Sequence, residues 1–224
     1  MNGRNRIGLL VPSSNTVMEN DLHAHLDKEH YTVHTARMYL EHTTADAEQV
    51  MLDRDAPAAA DLLGTARPDL LVFGCTSAGS LGGVAHDRMY CADLGKQTGA
   101  RGIGVMSSLF DRVRETGLHR VAVITPYIDE LTAAVARGLA GDDLDVVIAA
   151  GMGISVNIDL ARPTPDEITR FVLAKIRDAD IDGIVISCTN FRSLDARPVI
   201  AAETGLPVIT SNSAVLDTIQ RICA

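Results

Sequence analysis

The sequence is poor in aromatic residues and in lysine. It has no Trp, four Phe, four Tyr and only three lysines among 224 residues. Acidic residues outnumber basic ones, giving a formal net charge of −9, and Lys and Arg form no basic stripe. Nucleic-acid-binding surfaces depend on such a stripe, so nucleic acid is not an expected partner. An anionic ligand must therefore be held by local donors, and not by the field of the whole protein.

Signals of membranes, metals and nucleotide sites are also missing. No apolar run reaches the ~20 residues that span a membrane, and the polar start from Met1 to Arg6 indicates no signal peptide. The seven histidines lack HExxH spacing, and neither a GxxxxGKS-type phosphate loop nor a GxSxG elbow occurs. The four cysteines lack CxxC spacing, which fits a reducing compartment. The sequence predicts a cytoplasmic protein without membrane association and without a metal site.

Short β-branched runs alternate with helical patterns along the whole chain. The runs predict strands at 7–11, 31–37, 70–73, 102–105, 120–125, 145–149, 183–187 and 207–210. Helical patterns lie between them, and Pro57 is expected to kink or split the one that covers 45–63. This order predicts an α/β fold with parallel sheets and right-handed crossover connections.

The chain also repeats itself. The segment from Arg6 to Pro12 resembles the segment from Arg120 to Pro126, and the pattern Cys-Thr-x-x-x-Ser-Leu occurs twice after a predicted strand. Two matches at nearly the same offset predict two structurally similar halves. We expect a first lobe over 1–115, a second lobe over 116–211, and a C-terminal helix over 212–224 that packs back on the first lobe.

The repeat joins Cys75 and Cys188 into one predicted site. Ligands of open parallel sheets bind beyond the carboxyl ends of the strands, and each of these cysteines follows a strand and is expected just before a helix. A helix N-terminus favours the thiolate, which is the reactive form. Its free N–H groups also suit a substrate carboxylate or an enolate-like transition state. Cys91 and Cys223 fall inside expected helices and are interpreted as structural.

Hydroxyl and amide side chains follow the other strands. The predicted substrate-binding residues are Ser14, Asn15, Thr76, Ser77, Tyr127, Asn157, Thr189 and Asn190. Such a ring of donors with few charges suits a small dicarboxylate or an amino acid. Structural alternatives stay open for three positions: N-capping for the segment around Asn15, a half-buried core role for Tyr127, and a turn role for Asn157.

With the segment Val11-Pro-Ser-Ser-Asn-Thr-Val-Met-Glu19, the paired Cys-Thr segments and Thr125-Pro-Tyr127, the sequence resembles the aspartate/glutamate racemase superfamily, and most of all its maleate cis-trans isomerases. The resemblance covers nearly the whole chain. It implies two pseudo-symmetric lobes, each a four-stranded parallel sheet flanked by helices, and a cofactor-free site between them. It also implies catalytic roles for both cysteines, carboxylate binding by Asn15, Tyr127 and Asn157, and a homo-oligomer.

The flanks of the two cysteines leave the reaction open. Their hydroxyl-rich sequence is closer to racemase-like members and to isomerase-like proteins of ectoine utilisation. Arylmalonate decarboxylases share the fold but keep only the second-half cysteine, so two cysteines favour an isomerase or a racemase. The expected reaction is maleate to fumarate isomerisation, with racemisation of Asp, Glu or hydantoins as the alternative. A non-catalytic binding protein for a small acid is the third interpretation.

Overall fold

Two separate parallel sheets organise the molecule. The computed structural model describes residues 3–141 and 143–224. The first sheet has the strand order β2-β1-β3-β4 and the second has the order β6-β5-β7-β8, so the two halves share one topology. The strands are β1 Asn5–Pro12, β2 Tyr31–Met38, β3 Leu70–Phe73, β4 Arg101–Gly104, β5 Arg120–Tyr127, β6 Asp145–Ile154, β7 Gly183–Ile186 and β8 Val208–Thr210.

Helices cover the faces of both sheets. They are α1 Met18–His25, α2 Ala45–Val50, α3 Ala56–Gly64, α4 Thr76–Ser80, α5 Gly83–Thr98, α6 Val105–Glu115, α7 Asp129–Leu139, α8 Pro165–Lys175, α9 Ser193–Thr204 and α10 Ser211–Ile222. A parallel pair of strands needs a crossover of this kind, and helices on both faces leave the central strands β3 and β7 buried along their whole length. The predicted α/β fold with two four-stranded sheets is confirmed.

All eight predicted strands are present, and β6 extends furthest beyond its expected range. The strand expected at 145–149 continues to Ile154, because it stays paired with β5 as far as Tyr127. Asn157 therefore lies closer to the end of its strand than expected, separated from it only by residues 155 and 156. It begins a 3-10 turn, Asn157–Ala161, in line with the turn role left open for this residue.

The helix expected over 45–63 changes register before Pro57. A π-helical turn, Met51–Asp55, joins α2 to α3, and Pro57 lies in the first turn of α3. Proline donates no N–H, so the carbonyl four residues before it lacks an α-helical partner, and the wider turn accommodates this gap. The predicted interruption is thus confirmed as a change of register within a continuous helical segment.

The C-terminal helix α10 packs against α6 and α1. Arg112 of α6 lies 2.9 Å from Asp217 of α10, and Arg221 of α10 pairs with Glu115. The buried face of α10 carries Val215 and Ile219 into the main core. No helix within the described residues is long and apolar enough to cross a membrane.

Candidate active site

Cys75 and Cys188 lie at equivalent ends of the two sheets. β3 ends at Phe73 and β7 ends at Ile186, so each cysteine sits two residues beyond the central strand of its half. The two side chains are 3% and 2% exposed. They are close enough for Cys188 to raise the pKa of Cys75. The structure therefore brings together the two cysteines that the repeat predicted to meet.

Gly74 lets the chain that leads to Cys75 pass close to β1 of the first sheet. A Cβ atom at this position would lie 2.7 Å from the Leu10 carbonyl oxygen and 2.8 Å from the Met18 sulfur. Only glycine allows the backbone to pass here. The Gly74 carbonyl also accepts a hydrogen bond from Thr189 Oγ1 at 3.0 Å, which ties the two halves together beside the thiols.

Asn190 connects the halves through its side chain. Its Oδ1 accepts from the Thr16 N–H of the first half at 2.9 Å, and its Nδ2 donates to the Asn157 carbonyl of its own half at 2.6 Å. Asn157 Nδ2 in turn donates to Ser14 Oγ at 2.7 Å, and that hydroxyl donates to the Leu40 carbonyl at 2.6 Å. Ser14, Asn157 and Asn190, all predicted as substrate-binding, form one network across the lobe interface.

Asn15 has a structural task in addition to its place at the site. Its Oδ1 accepts hydrogen bonds from the N–H groups of Val17 and Met18, each at 3.0 Å, so it caps the start of α1. Its Nδ2 donates to Thr189 Oγ1 at 3.0 Å. The capping alternative is confirmed for Asn15, and the same side chain also joins the two halves.

Cys188 lies among donors that oppose the effect of its burial. Burial raises the pKa of this thiol to about 12, while the Tyr127 hydroxyl and the Asn190 N–H lower it. The Asn190 N–H donates to the Cys188 sulfur at 3.3 Å. The expectation of a helix directly after Cys188 is wrong, because α9 begins only at Ser193. A turn supplies the N–H group in place of a helix N-terminus.

Cys75 does lie at the N-cap of a helix, the short α4. Burial raises the pKa of its thiol well above the ordinary value, and the nearby Glu48 raises it further. The Ala78 N–H and the Ser77 hydroxyl, whose oxygen is 3.7 Å from the sulfur, act in the opposite direction. The predicted lowering of the thiol pKa is therefore reversed in this closed site, because desolvation outweighs the donors.

Thr76 is the remaining predicted residue, and it faces the last helix. Its Oγ1 lies 3.1 Å from the hydroxyl of Ser211, the first residue of α10. Both side chains are buried. Thr76 thereby links the segment after Cys75 to the second half of the chain.

Glu48 is the site residue that sequence reasoning missed. This α2 side chain is fully buried, and neither carboxylate oxygen has a hydrogen-bond partner among the described residues. Burial raises its pKa to about 7, and the Ser77 hydroxyl lies near enough to lower that pKa without forming an aligned hydrogen bond. The signal was present in the sequence, because Glu48 precedes the apolar Met51 and Leu52 at the spacing of one helix face.

A short segment between β2 and α2 closes the site, and we call residues 41–43 the closing strap. Thr43 donates to the Ser155 carbonyl through its N–H at 3.1 Å and through its hydroxyl at 2.8 Å. The Asn157 N–H donates to the Glu41 carbonyl at 3.1 Å. These bonds join the first half to the second beside Asn157, one of the predicted site residues. A surface cleft of about 300 Å³ beside α4 and α7 is lined by none of the predicted site residues.

Known proteins match this chain over nearly its whole length. A family model described as arylmalonate decarboxylase matches residues 7–223. A maleate isomerase of Geobacillus stearothermophilus is 30% identical, over 97% of this chain and 90% of that protein. The crystal structure of a maleate isomerase from Pseudomonas putida is 30% identical with a TM-score of 0.88, covering 95% of this chain and 90% of that one.

A third match concerns a trapped intermediate. A Cys-to-Ser variant of the Nocardia farcinica maleate cis-trans isomerase carries a covalently bound succinylcysteine intermediate. That structure is 22% identical with a TM-score of 0.87, and the match covers 98% of this chain and 92% of that one. At this identity the likeness supports the fold alone, two lobes of one topology.

Proposed function

This chain belongs to the arylmalonate decarboxylase family, and we propose that it is an isomerase that converts maleate to fumarate with two cysteines as its reacting groups. The observation that carries the proposal is the meeting of Cys75 and Cys188 at the lobe interface, one thiol from each half. The relatives named maleate isomerase, at 30% identity over most of the chain, support the same reaction.

The proposed reaction begins with the ionised fraction of Cys75, which burial keeps small and which the Ala78 N–H and the Ser77 hydroxyl stabilise. Its sulfur forms a bond to one alkene carbon of maleate, and the π electrons move onto the neighbouring carboxylate as an enediolate. The Cys188 thiol gives its proton to the carbon next to that carboxylate, leaving a succinyl-thioether on Cys75. The former double bond is now single and rotates. Cys188 then takes the proton back, the C–S bond breaks, and fumarate leaves with no net change in oxidation state.

Neighbouring groups fit defined tasks in this sequence of steps. The Asn190 N–H and the Tyr127 hydroxyl stabilise the Cys188 thiolate after it gives up its proton. The Ala78 N–H does the same for the departing Cys75 sulfur. Enclosure by the closing strap excludes water, which strengthens each of these interactions. We assign substrate carboxylates to the donors around them, which include Ser14, Asn15, Thr76, Ser77, Tyr127, Asn157, Thr189 and Asn190.

The two cysteines have unequal roles in this mechanism, and substitution tests that difference. Cys75→Ser abolishes turnover, because serine is not ionised near neutral pH and cannot replace the thiolate as nucleophile. Cys188→Ser loses most turnover yet still forms the adduct, so maleate adds one substrate mass to this variant by intact mass spectrometry. Cys91→Ser is the matched control, since this buried cysteine lies on α5 outside the site. An adduct on Cys188 in the Cys75→Ser protein would reverse the assignment.

Racemisation is the second candidate, and the opposed placement of the thiols favours it. Two thiols on either side of one Cα would act as base and acid on its two faces. In that case neither cysteine forms an adduct with maleate, and L-Asp, L-Glu or a hydantoin loses its optical rotation on incubation. Fumarate formation from maleate, followed by proton NMR, separates the two reactions directly. Binding of these acids without turnover of any of them is the outcome expected for a non-catalytic binding protein.

We also keep the lobe boundaries and the assembly as proposals. The first lobe spans 1–115 and the second 116–211, and the helix over 212–224 belongs with the first lobe. The contacts of α10 with α6 and α1 support that assignment. Association into a homo-oligomer follows from the resemblance to maleate cis-trans isomerases alone.

A further inference from the structure

Glu48 has an environment that a buried carboxyl group rarely has. It is fully buried, and both of its oxygens lack a hydrogen-bond partner within the described part of the chain. Buried carboxyl groups are ordinarily paired or hydrogen-bonded, because an isolated charge in a protein interior is strongly destabilising. An unpartnered buried carboxyl group therefore indicates a partner that comes from outside the chain.

The carboxyl group of Glu48 belongs to the space around the thiols. Its charge raises the pKa of Cys75, and it also acts on Cys188 and on Tyr127. The Ser77 hydroxyl, which lies 3.7 Å from the Cys75 sulfur, is the polar group that lowers the pKa of Glu48. The unpartnered carboxyl group thus lies within the space around the two thiols, where the proposed substrate must bind.

Charges around Glu48 provide no compensation. The groups that face it are Cys75 and Ser77 at the start of α4, Tyr127 of β5 and Cys188 after β7, and none of them is a cation. In the adjoining π-helical turn, Asp53 is exposed, and Arg54 lies at the surface and pairs with Asp55 at 3.0 Å. Glu41 and His42 of the closing strap are exposed. No described Lys, Arg or His side chain lowers the pKa of Glu48.

A dicarboxylate brings two more negative charges into this space. Like charges at close range repel strongly where water is excluded, and no cation among the described residues offsets that repulsion. An ionised Glu48 would therefore exclude the proposed substrate. A neutral Glu48 removes the repulsion and also offers an O–H donor to a carboxylate oxygen, which is among the stronger kinds of hydrogen bond.

We propose that Glu48 is a specificity-determining residue of this site, which in its neutral form donates a hydrogen bond to one carboxylate of a dicarboxylate substrate. The inference rests on the proposed function. Binding of the dianion then depends on the one proton that the carboxyl group of Glu48 carries. An ammonium-bearing substrate would require the opposite form, an ionised Glu48, so the protonation state of this residue separates a dicarboxylate from an amino acid.

Steady-state kinetics with maleate test the proposal through pH. Glu48 has a pKa of about 7, so we expect the KM of the unmodified enzyme to rise about tenfold for each pH unit above that value. The KM of Glu48→Gln should stay constant over the same range, because an amide donates without titrating. The matched control is Asp46→Asn, which removes a charge from an exposed position of the same helix and should keep the pH dependence.

Calorimetry separates this proposal from the proposed function. Maleate is titrated at about pH 8 in two buffers of different ionisation enthalpy, and we expect uptake of about one proton per maleate bound by the unmodified enzyme and none by Glu48→Gln. Binding without proton uptake, or a Glu48→Gln variant whose KM follows the unmodified enzyme, would overturn the role of Glu48 alone. Tighter binding of L-aspartate as pH rises, lost in Glu48→Gln, would also overturn it. Absence of fumarate would instead contradict the isomerase proposal.

Discussion

At the Cys75 sulfur, two effects on the pKa act in opposite directions. The N–H groups at the start of α4 favour the thiolate, and the removal of water disfavours it. Desolvation is larger here because the side chain is 3% exposed. The sequence places a cysteine at the start of a helix and thereby predicts the N–H donors near its sulfur. It does not indicate how completely the two lobes exclude water from that sulfur.

Glu48 should make stability depend on pH, because burial raises its folded-state pKa from 4.5 to about 7. A raised carboxyl pKa leaves stability intact below about pH 4.5 and reduces it as pH rises through the folded value, by about 3 kcal/mol in total. We expect the unfolding free energy of Glu48→Gln, relative to the unmodified protein, to rise by about that amount between about pH 4.5 and 8. Urea titrations at several pH values measure this difference.

The control for this measurement is again Asp46→Asn, which is exposed and should follow the unmodified protein at every pH. If the unfolding free energies of the Glu48→Gln and unmodified proteins change in parallel with pH, the pKa of Glu48 in the folded state is the ordinary one. The absolute stability of Glu48→Gln carries less information, because a buried amide without partners has its own desolvation cost.

At the scale of single residues, the sequence predicted those site residues that follow strands. Cys75, Cys188 and Asn15 could be found because the carboxyl ends of parallel strands collect ligands. Glu48 could not be found in this way, because it lies within a helix. Its place on the apolar face ahead of Met51 and Leu52 was the available signal, and a charged residue on such a face is itself informative.

Among the elements, all eight strands were predicted, and a helix was expected directly after Cys75, where α4 lies. The 3-10 turn at Asn157–Ala161 contains five residues, which is too short for a periodic pattern. α9 carries Pro198 inside it, a residue that normally indicates a helix end. The 3-10 turn holds Asn157 and the short α4 holds Thr76 and Ser77, so both of these five-residue elements position residues of the site.

The closing strap yields a prediction at this scale. Thr43→Val keeps the shape of a buried side chain but removes the hydroxyl that donates to the Ser155 carbonyl. We expect a loss of about 1 kcal/mol in unfolding free energy and faster alkylation of Cys75 and Cys188 by iodoacetamide, because opening of the strap exposes both thiols. Peptide mapping after timed alkylation measures the two rates separately.

Thr164→Ala is the matched control for the strap. Thr164 caps α8 in a reciprocal capping box with Glu167, and its loss should also cost about 1 kcal/mol. Because α8 lies outside the site, the alkylation rates should remain those of the unmodified protein. Equal acceleration in both variants would instead assign thiol exposure to unfolding of the whole molecule.

For the molecule as a whole, the internal repeat predicted the architecture. Each half must bury both faces of its own parallel sheet, so the hydrophobic pattern recurs wherever the topology recurs. The contacts between the two halves could not be predicted from the sequence. The bond from Asn15 to Thr189, for example, joins turns that belong to different sheets, and its existence depends on how the lobes dock. The hydrophobic pattern of the sequence indicates how each sheet is buried, but it does not indicate how the two halves contact each other.

The charge of the whole molecule gives the final prediction. With a net charge of −9, the protein repels a dianion at long range, and the site holds donors in place of cations. Salt screens that repulsion, with a Debye length near ~10 Å at 0.1 M. We therefore expect kcat/KM for maleate to rise several-fold as KCl increases from about 10 to 200 mM, while kcat changes little. Alkylation by iodoacetamide, an uncharged reagent, is the internal control and should be insensitive to salt. A fall in kcat/KM with salt would mean that basic side chains attract the substrate along its path, against the absence of any basic stripe in the sequence.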